Sequence, residues 1–179
     1  MRITKYIFLL FILFVACDPS YNNNAPTDGV MTEYDSVYTL ADIQWHKQYY
    51  PMLERQVFSI DLLSEGLSFD STNHIVGTGY NLYISDIFLP LTTTCLQSGI
   101  YQMDSTASSY TFLPYMYFEG NITGCYLLDI QESNIQQIIG FTTGTMQLEY
   151  ISENDIRLDL LLYTADSIRY HAMYEGPTQ

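Results

Sequence analysis

The sequence predicts an all-β domain: an antiparallel β-sandwich of about nine or ten strands, with a closed β-barrel as the runner-up. Three observations predict it. From Glu33 onward, apolar residues come in short runs rich in tyrosine and β-branched side chains. Gly, Asn, Asp and Ser punctuate those runs at the spacing of strand connections. No helical period is sustained over about ten residues.

Taken in order, the first segment is the most ambiguous. Thr39 with Asp42 could cap a short helix running to Tyr50 before Pro51. Ile43, Trp45, Lys47 and Tyr49 also alternate with Gln44, His46 and Gln48, and the strand is the favoured reading. Phe58, Ile60 and Leu62 alternate with Ser59 and Asp61, which predicts a half-buried strand ending at Glu65-Gly66. Tyr80, Leu82 and Ile84 share one face of the next strand, but Ile87 and Leu89 continue the apolar set on the opposite phase. A bulge near Ser85-Asp86 repairs that slip; without it an acid would point into the core.

Residues 91–98 read as a loop carrying Cys95, and Gly99-Ile100-Tyr101 opens a short strand that stops at Asp104-Ser105. Tyr110 to Phe118 is nearly all apolar, but Pro114 interrupts it, so an edge strand or two strand pieces are expected. Tyr126, Leu128 and Ile130 then alternate with Cys125, Leu127 and Asp129; Ile135 to Ile139 is brief; Met146, Leu148 and Tyr150 alternate with Thr145, Gln147 and Glu149. The clearest pattern is the last hairpin, where Ile156, Leu158, Leu160 and Leu162 match Ile168, Tyr170, Ala172 and Tyr174. Burying both sets on one face requires an odd loop, about three or five residues, and the three-residue loop sets Arg157 opposite Glu175.

The N-terminus carries an address. Arg2 and Lys5 precede an unbroken apolar run from Tyr6 to Val15, followed at once by Ala16-Cys17 and Asp18-Pro19. The run is short of the roughly 20 residues a membrane-spanning helix needs and has the layout of a secretory signal. Leu13-Phe14-Val15-Ala16-Cys17 resembles the lipobox of bacterial lipoproteins, with Phe14 where leucine is more usual. The resemblance implies that Cys17 is acylated, becomes the mature terminus and is the route to the membrane; the alternative is an ordinary secretory signal that ends in a cysteine. The expected organisation is a signal peptide over 1–16, a lipidated tether over 17–32 and one β-domain over 33–179. The tether, DPSYNNNAPTDGVMT, would span about 20 Å as a flexible coil. The expected location is the cell envelope, anchored by lipid at the outer membrane, with the periplasmic and surface faces both open.

Charge excludes one class of partner. Arg2 and Lys5 leave with the leader, so four of the six basic residues remain against all twenty acids, a mature charge near −16. Nucleic acid and anionic lipid would repel such a chain, because binding either depends on Lys and Arg. Cys95 and Cys125 are a possible disulfide, closing a loop of about 30 residues, or are simply buried thiols.

No catalytic centre, cofactor or metal site is expected. His46, His74 and His171 fall in no HExxH or comparable spacing, no nucleophile elbow is present, and the DxDxDG calcium loop is absent. Carboxylate pairs able to hydrolyse glycosides arise by accident in any acidic β-protein. Four tripeptides, Asp35-Ser36-Val37, Asp70-Ser71-Thr72, Asp104-Ser105-Thr106 and Asp166-Ser167-Ile168, resemble the O-glycosylation signal of Bacteroidota, which makes Ser36, Ser71, Ser105 and Ser167 candidate acceptors. The competing reading is that Asp-Ser pairs simply favour turns. Of the seventeen tyrosines and one tryptophan, Trp45, Tyr49, Tyr50, Tyr83, Tyr115 and Tyr117 are candidate stacking platforms for a sugar or a protein partner, against the commoner packing role.

Asn81-Leu82-Tyr83-Ile84-Ser85-Asp86-Ile87-Phe88, Ser98-Gly99-Ile100-Tyr101 and Tyr174-Glu175-Gly176-Pro177 give residues 41–177 a likeness to the short, tyrosine-rich all-β lipoproteins of Bacteroidota. That resemblance implies a fold and supplies no catalytic motif. The expected function is a lipid-anchored, non-catalytic envelope protein that binds glycan or protein in adhesion or nutrient capture. The alternatives are an accessory envelope lipoprotein without a free ligand, or a lipocalin-like small-molecule carrier, which requires a closed barrel with an empty interior.

Overall fold

The computed structural model describes residues 29–33, 36–50 and 55–177, the first two segments as backbone only. It is all-β, with fifteen strands among the described residues. In chain order these are β1 (Gly29–Glu33), β2 (Ser36–Tyr50), β3 (Arg55–Ser64), β4 (Leu67–Phe69), β5 (Ile75–Gly77), β6 (Gly79–Pro90), β7 (Gly99–Met103) and β8 (Thr111–Phe112). There follow β9 (Met116–Phe118), β10 (Asn121–Thr123), β11 (Cys125–Gln131), β12 (Asn134–Gly140), β13 (Thr143–Tyr150), β14 (Asp155–Tyr163) and β15 (Arg169–Pro177). The count exceeds the nine or ten expected because short pieces such as β4, β5, β9 and β10 have no periodicity to announce them. No described helix is long and apolar enough to cross a membrane.

Eleven strands form one sheet in the order β12-β11-β6-β3-β2-β1-β15-β14-β13-β7-β8. β8 also pairs with β6, so the pairings return on themselves and the sheet curls into a ring with β11 and β12 branching from it. The ladder is antiparallel except at β7–β8, which run parallel. Thr111-Phe112 and Met116–Phe118 are the two pieces expected on either side of Pro114.

The hinge of this topology is the bulge foreseen at Ser85-Asp86. Ile84 pairs with Ile60 and Ile87 with Phe58, so two residues of β6 oppose the single Ser59 of β3. Asp86 takes φ 54° there. Its carboxylate turns outward to accept from Ser85 Oγ at 2.7 Å and Thr123 Oγ1 at 2.9 Å. At the same point β6 hands its free edge from β11, which pairs with Gly79 to Ile84, to β8, which pairs with Ile87 and Phe88. The parity slip in the sequence is therefore the place where the sheet divides.

One core fills the ring. Phe58, Ile60 and Leu62 of β3 and Leu82, Ile84, Ile87 and Leu89 of β6 meet Leu158, Leu160 and Leu162 of β14 and Tyr170, Ala172 and Tyr174 of β15. All are at most 2% exposed. At about 1.5 to 3 kcal/mol for each fully buried large apolar side chain, this cluster supplies the main driving force for closure. The β14–β15 register places Leu160 opposite Ala172 and Arg157 opposite Glu175, as expected. Arg157 Nε donates to Glu175 Oε2 at 2.8 Å.

β3 departs from the sequence reading. The expected half-buried strand is buried on both faces, because a second cluster of Leu63, Leu67, Tyr126, Leu128 and Ile130 covers its outer side and that of β11. The continuous run Tyr126-Leu127-Leu128 is the trace of such two-sided burial, with Leu127 in the main core and its neighbours in the outer one.

Candidate functional site

The outer cluster frames a groove. Parity along β3 sends Phe58, Ile60 and Leu62 inward and Ser59 and Asp61 outward. On β6 the outward positions are Asn81 and Tyr83; on β11 they are Tyr126, Leu128 and Ile130. Over this wall folds the β4–β5 hairpin, bringing Phe69, His74 and Ile75 across a groove of about 620 Å³ whose floor carries Ser59, Asp61 and Tyr83.

Local chemistry holds the hairpin in place. Asp70 Oδ1 accepts from the backbone N–H of Thr72 at 2.8 Å and of His74 at 3.0 Å, and from Thr72 Oγ1 at 2.7 Å. These bonds, the Thr72 hydroxyl first, hold the exposed Asp70 carboxyl below its ordinary range. At its base, Gly77 N–H donates to Ser133 Oγ at 3.0 Å, Ser133 N–H to Gly77 O at 2.7 Å and Glu132 N–H to Thr78 Oγ1 at 2.9 Å. Gly77 has φ 111°, and a side chain there would collide with the Gly66 carbonyl, so the hairpin base admits glycine alone.

The floor is polar and shut off from bulk water. Asp61, 7% exposed, accepts from Asn81 Nδ2 at 2.8 Å. Ser59, 1% exposed, has no hydrogen-bond partner for its hydroxyl among the described residues, and neither does the side-chain oxygen of Asn81. Leaving such groups unmatched costs about 1 to 3 kcal/mol each. Tyr83 and Tyr126 stack at 5.2 Å with planes tilted by 51°, and Tyr115 meets Tyr126 edge-on at 6.3 Å. Burial, with Tyr83 and Asp61 close by, pushes the Tyr126 phenol well above its ordinary value.

Of the six candidate stacking residues, the structure brings Tyr83 and Tyr115 into this one cluster, tilted against Tyr126 instead of aligned as a flat platform. Tyr117 stands apart on β9, 67% exposed beside Phe118 at 71%. The side chains of Trp45, Tyr49 and Tyr50 lie outside the described residues; the backbone register sets Trp45 opposite Ile60, Tyr49 opposite Gln56 and Tyr50 opposite Arg55.

Ser71, Ser105 and Ser167 occupy exposed turns, a geometry that satisfies both the acceptor and the turn-only reading. In two of them the aspartate binds the backbone two residues on, Asp70 to Thr72 and Asp104 to Thr106. Ser36 begins β2 with its side chain undescribed, and Cys17 lies outside the described residues.

The possible Cys95–Cys125 disulfide is corrected. Cys125 is a free, fully buried thiol on the inner face of β11, its pKa pushed far up by burial among apolar neighbours. No group of three or more metal-ligating side chains occurs among the described residues.

Sequence reasoning missed Ser59, Asp61 and Asn81 as site residues, because a polar residue on every second strand position reads as a solvated face. The available signal was the two-sided apolar run of β11, which requires a cover on that side of the sheet. No protein-family model, curated protein or solved structure matches the chain.

Proposed function

We propose that this protein is a lipid-anchored, non-catalytic binding domain of the bacterial cell envelope, acylated at Cys17, which captures a glycan or protein ligand in the groove beneath the β4–β5 hairpin. The leader with its lipobox-like end supports the address. The likeness to tyrosine-rich lipoproteins of Bacteroidota supports the setting, adhesion or nutrient capture at the outer membrane. The observation that carries the binding role is the groove floor, where the buried Asp61 carboxylate lies beside the unmatched hydroxyl of Ser59. Burying a hydroxyl this way is costly unless something completes its hydrogen bonds. Two features favour binding over catalysis and over carriage of an apolar molecule inside the ring. Asp61 is the one carboxylate among the described lining residues, whereas glycoside hydrolysis uses a pair. The ring interior is occupied by side chains such as Phe58, Tyr101 and Phe112.

A second reading, an accessory subunit docking on a partner protein, draws support from Met116, Tyr117 and Phe118, three consecutive exposed apolar residues on β9. Screening the intact protein and its Tyr83→Ala and Tyr117→Ala variants on glycan and peptide arrays separates the two. Loss of binding in Tyr83→Ala alone is expected; loss in Tyr117→Ala alone transfers the role to the β9 surface.

A further inference from the structure

We infer that β12 is a dimer edge: two copies of this chain pair β12 with β12 in antiparallel sense about a two-fold axis, joining their sheets. Among the described residues β12 is the open end of the eleven-strand sheet, because β8 at the other end turns back to pair with β6. Proteins ordinarily guard such an edge with charge or proline. This chain holds twenty acidic residues and places none from Ser133 to Leu148, a stretch that also lacks lysine, arginine and proline. On the strand itself Ile135 is 55% exposed and Ile138 40%.

Register names the occupant. Ile135 pairs with Ile130 and Ile138 with Leu128, both in the outer cluster, so Gln136 is the extra residue of a bulge and the two isoleucines share one face although they stand three apart. A straight strand laid along this edge would meet the bulge out of phase, whereas a second copy carries the same bulge. Ile135-Gln136-Gln137-Ile138 reads alike in both directions. A two-fold axis through its centre therefore sets Ile135 of each copy against Ile138 of the other on the outer face, with amide against amide between them. The pairing also manages charge, since two copies of formal net charge −14 repel. Glu132, just before the strand, falls at opposite ends of the antiparallel pair, about 25 Å from its counterpart at about 3.3 Å per residue and well beyond the Debye length of about 8 Å. Ile135 also lines the groove, so the dimer presents two grooves on a single face.

Sedimentation of the intact protein from about 1 μM to about 1 mM tests this. The expected result is a reversible monomer–dimer equilibrium that tightens as salt is raised, because screening weakens the repulsion between acidic copies. Ile138→Lys sets an ammonium against Ile135 of the other copy and is expected to weaken the dimer about tenfold or more. Ile151→Lys, at a similarly exposed isoleucine in the β13–β14 turn, adds the same charge and is expected to leave the dimer unchanged. A monomer throughout the range overturns the inference, and so does a dimer that the two substitutions affect equally, which puts the interface elsewhere. If Ile138→Lys does not fold, oxidative cross-linking decides. A mixture of Ile135→Cys and Ile138→Cys copies should form more disulfide-linked dimer than either variant alone, and equal yields overturn the pairing.

Discussion

Replacing Ser59 by alanine is expected to raise stability, although the site is 1% exposed and most changes at buried positions destabilise. The hydroxyl has no partner among the described residues, so folding strips it of water without return. Mutational data put such a loss at about 1 to 3 kcal/mol, and removing one oxygen while keeping Cβ forfeits only a few contacts, which leaves a net gain of about 1 kcal/mol. Ser64, on the same strand and 7% exposed, supplies the contrast. Its Oγ accepts from Tyr80 N–H at 2.8 Å and donates to Glu65 O at 3.3 Å, so Ser64→Ala orphans a backbone donor and is expected to cost about 1 to 2 kcal/mol. Urea titration of parent and variants measures both, and the two midpoints should move in opposite directions at unchanged slope. For a chain of this size each kcal/mol also shifts the melting temperature by about 2 to 4 °C. If Ser59→Ala loses as much stability as Ser64→Ala, its hydroxyl is satisfied after all and the groove floor is not the unmatched surface described above.

Alkaline pH supplies a second test. The unfolded thiol of Cys125 ionises near about 8.5 and the unfolded phenols of Tyr101 and Tyr126 near about 10, while burial raises all three in the folded state. Their contribution is whole below those unfolded values and is lost as pH climbs through and beyond them, so stability should decline from about pH 9 upward, with Cys125→Ala removing the earlier part. Cys125 should also resist thiol reagents until the chain unfolds globally, read as coincidence of labelling and denaturation. Deleting Asp86 removes the extra residue and leaves Ile87 and Leu89 in phase with Leu82 and Ile84 on an unbulged strand, so a cooperative unfolding transition should survive, and its loss would disprove the register account. Gly77→Ala places a side chain at φ 111° against the Gly66 carbonyl and should cost about 1 to 3 kcal/mol by urea titration, loosening the hairpin over the groove.

Much of the fold was legible where a polar residue could not be hidden. Asp86 betrayed the bulge because its parity conflicted with Ile87 and Leu89, and the matched sets around Ala165-Asp166-Ser167 announced the β14–β15 hairpin with its register. Closure of the ring was not legible, since it depends on Thr111 and Phe112, two residues that carry no period of their own. The groove escaped for a related reason. Alternation tells which residues of β3 and β6 share a face, but not that a hairpin eleven residues long, from Leu67 to Gly77, will fold back over that face and turn Ser59 and Asp61 from solvated groups into buried ones.

The first described strand lies beside the last: Val30 pairs with Met173 and Glu33 with Tyr170. A chain emerging in order during synthesis would therefore hold β1 with β2 on one side and nothing on the other until β15 had followed, and could not finish its fold piecemeal. Contacts so distant along the chain make for slow folding, and an exposed strand edge waiting through that interval is an invitation to aggregation. A holding chaperone that shields β1 and β2 until β15 arrives would meet the need this topology creates.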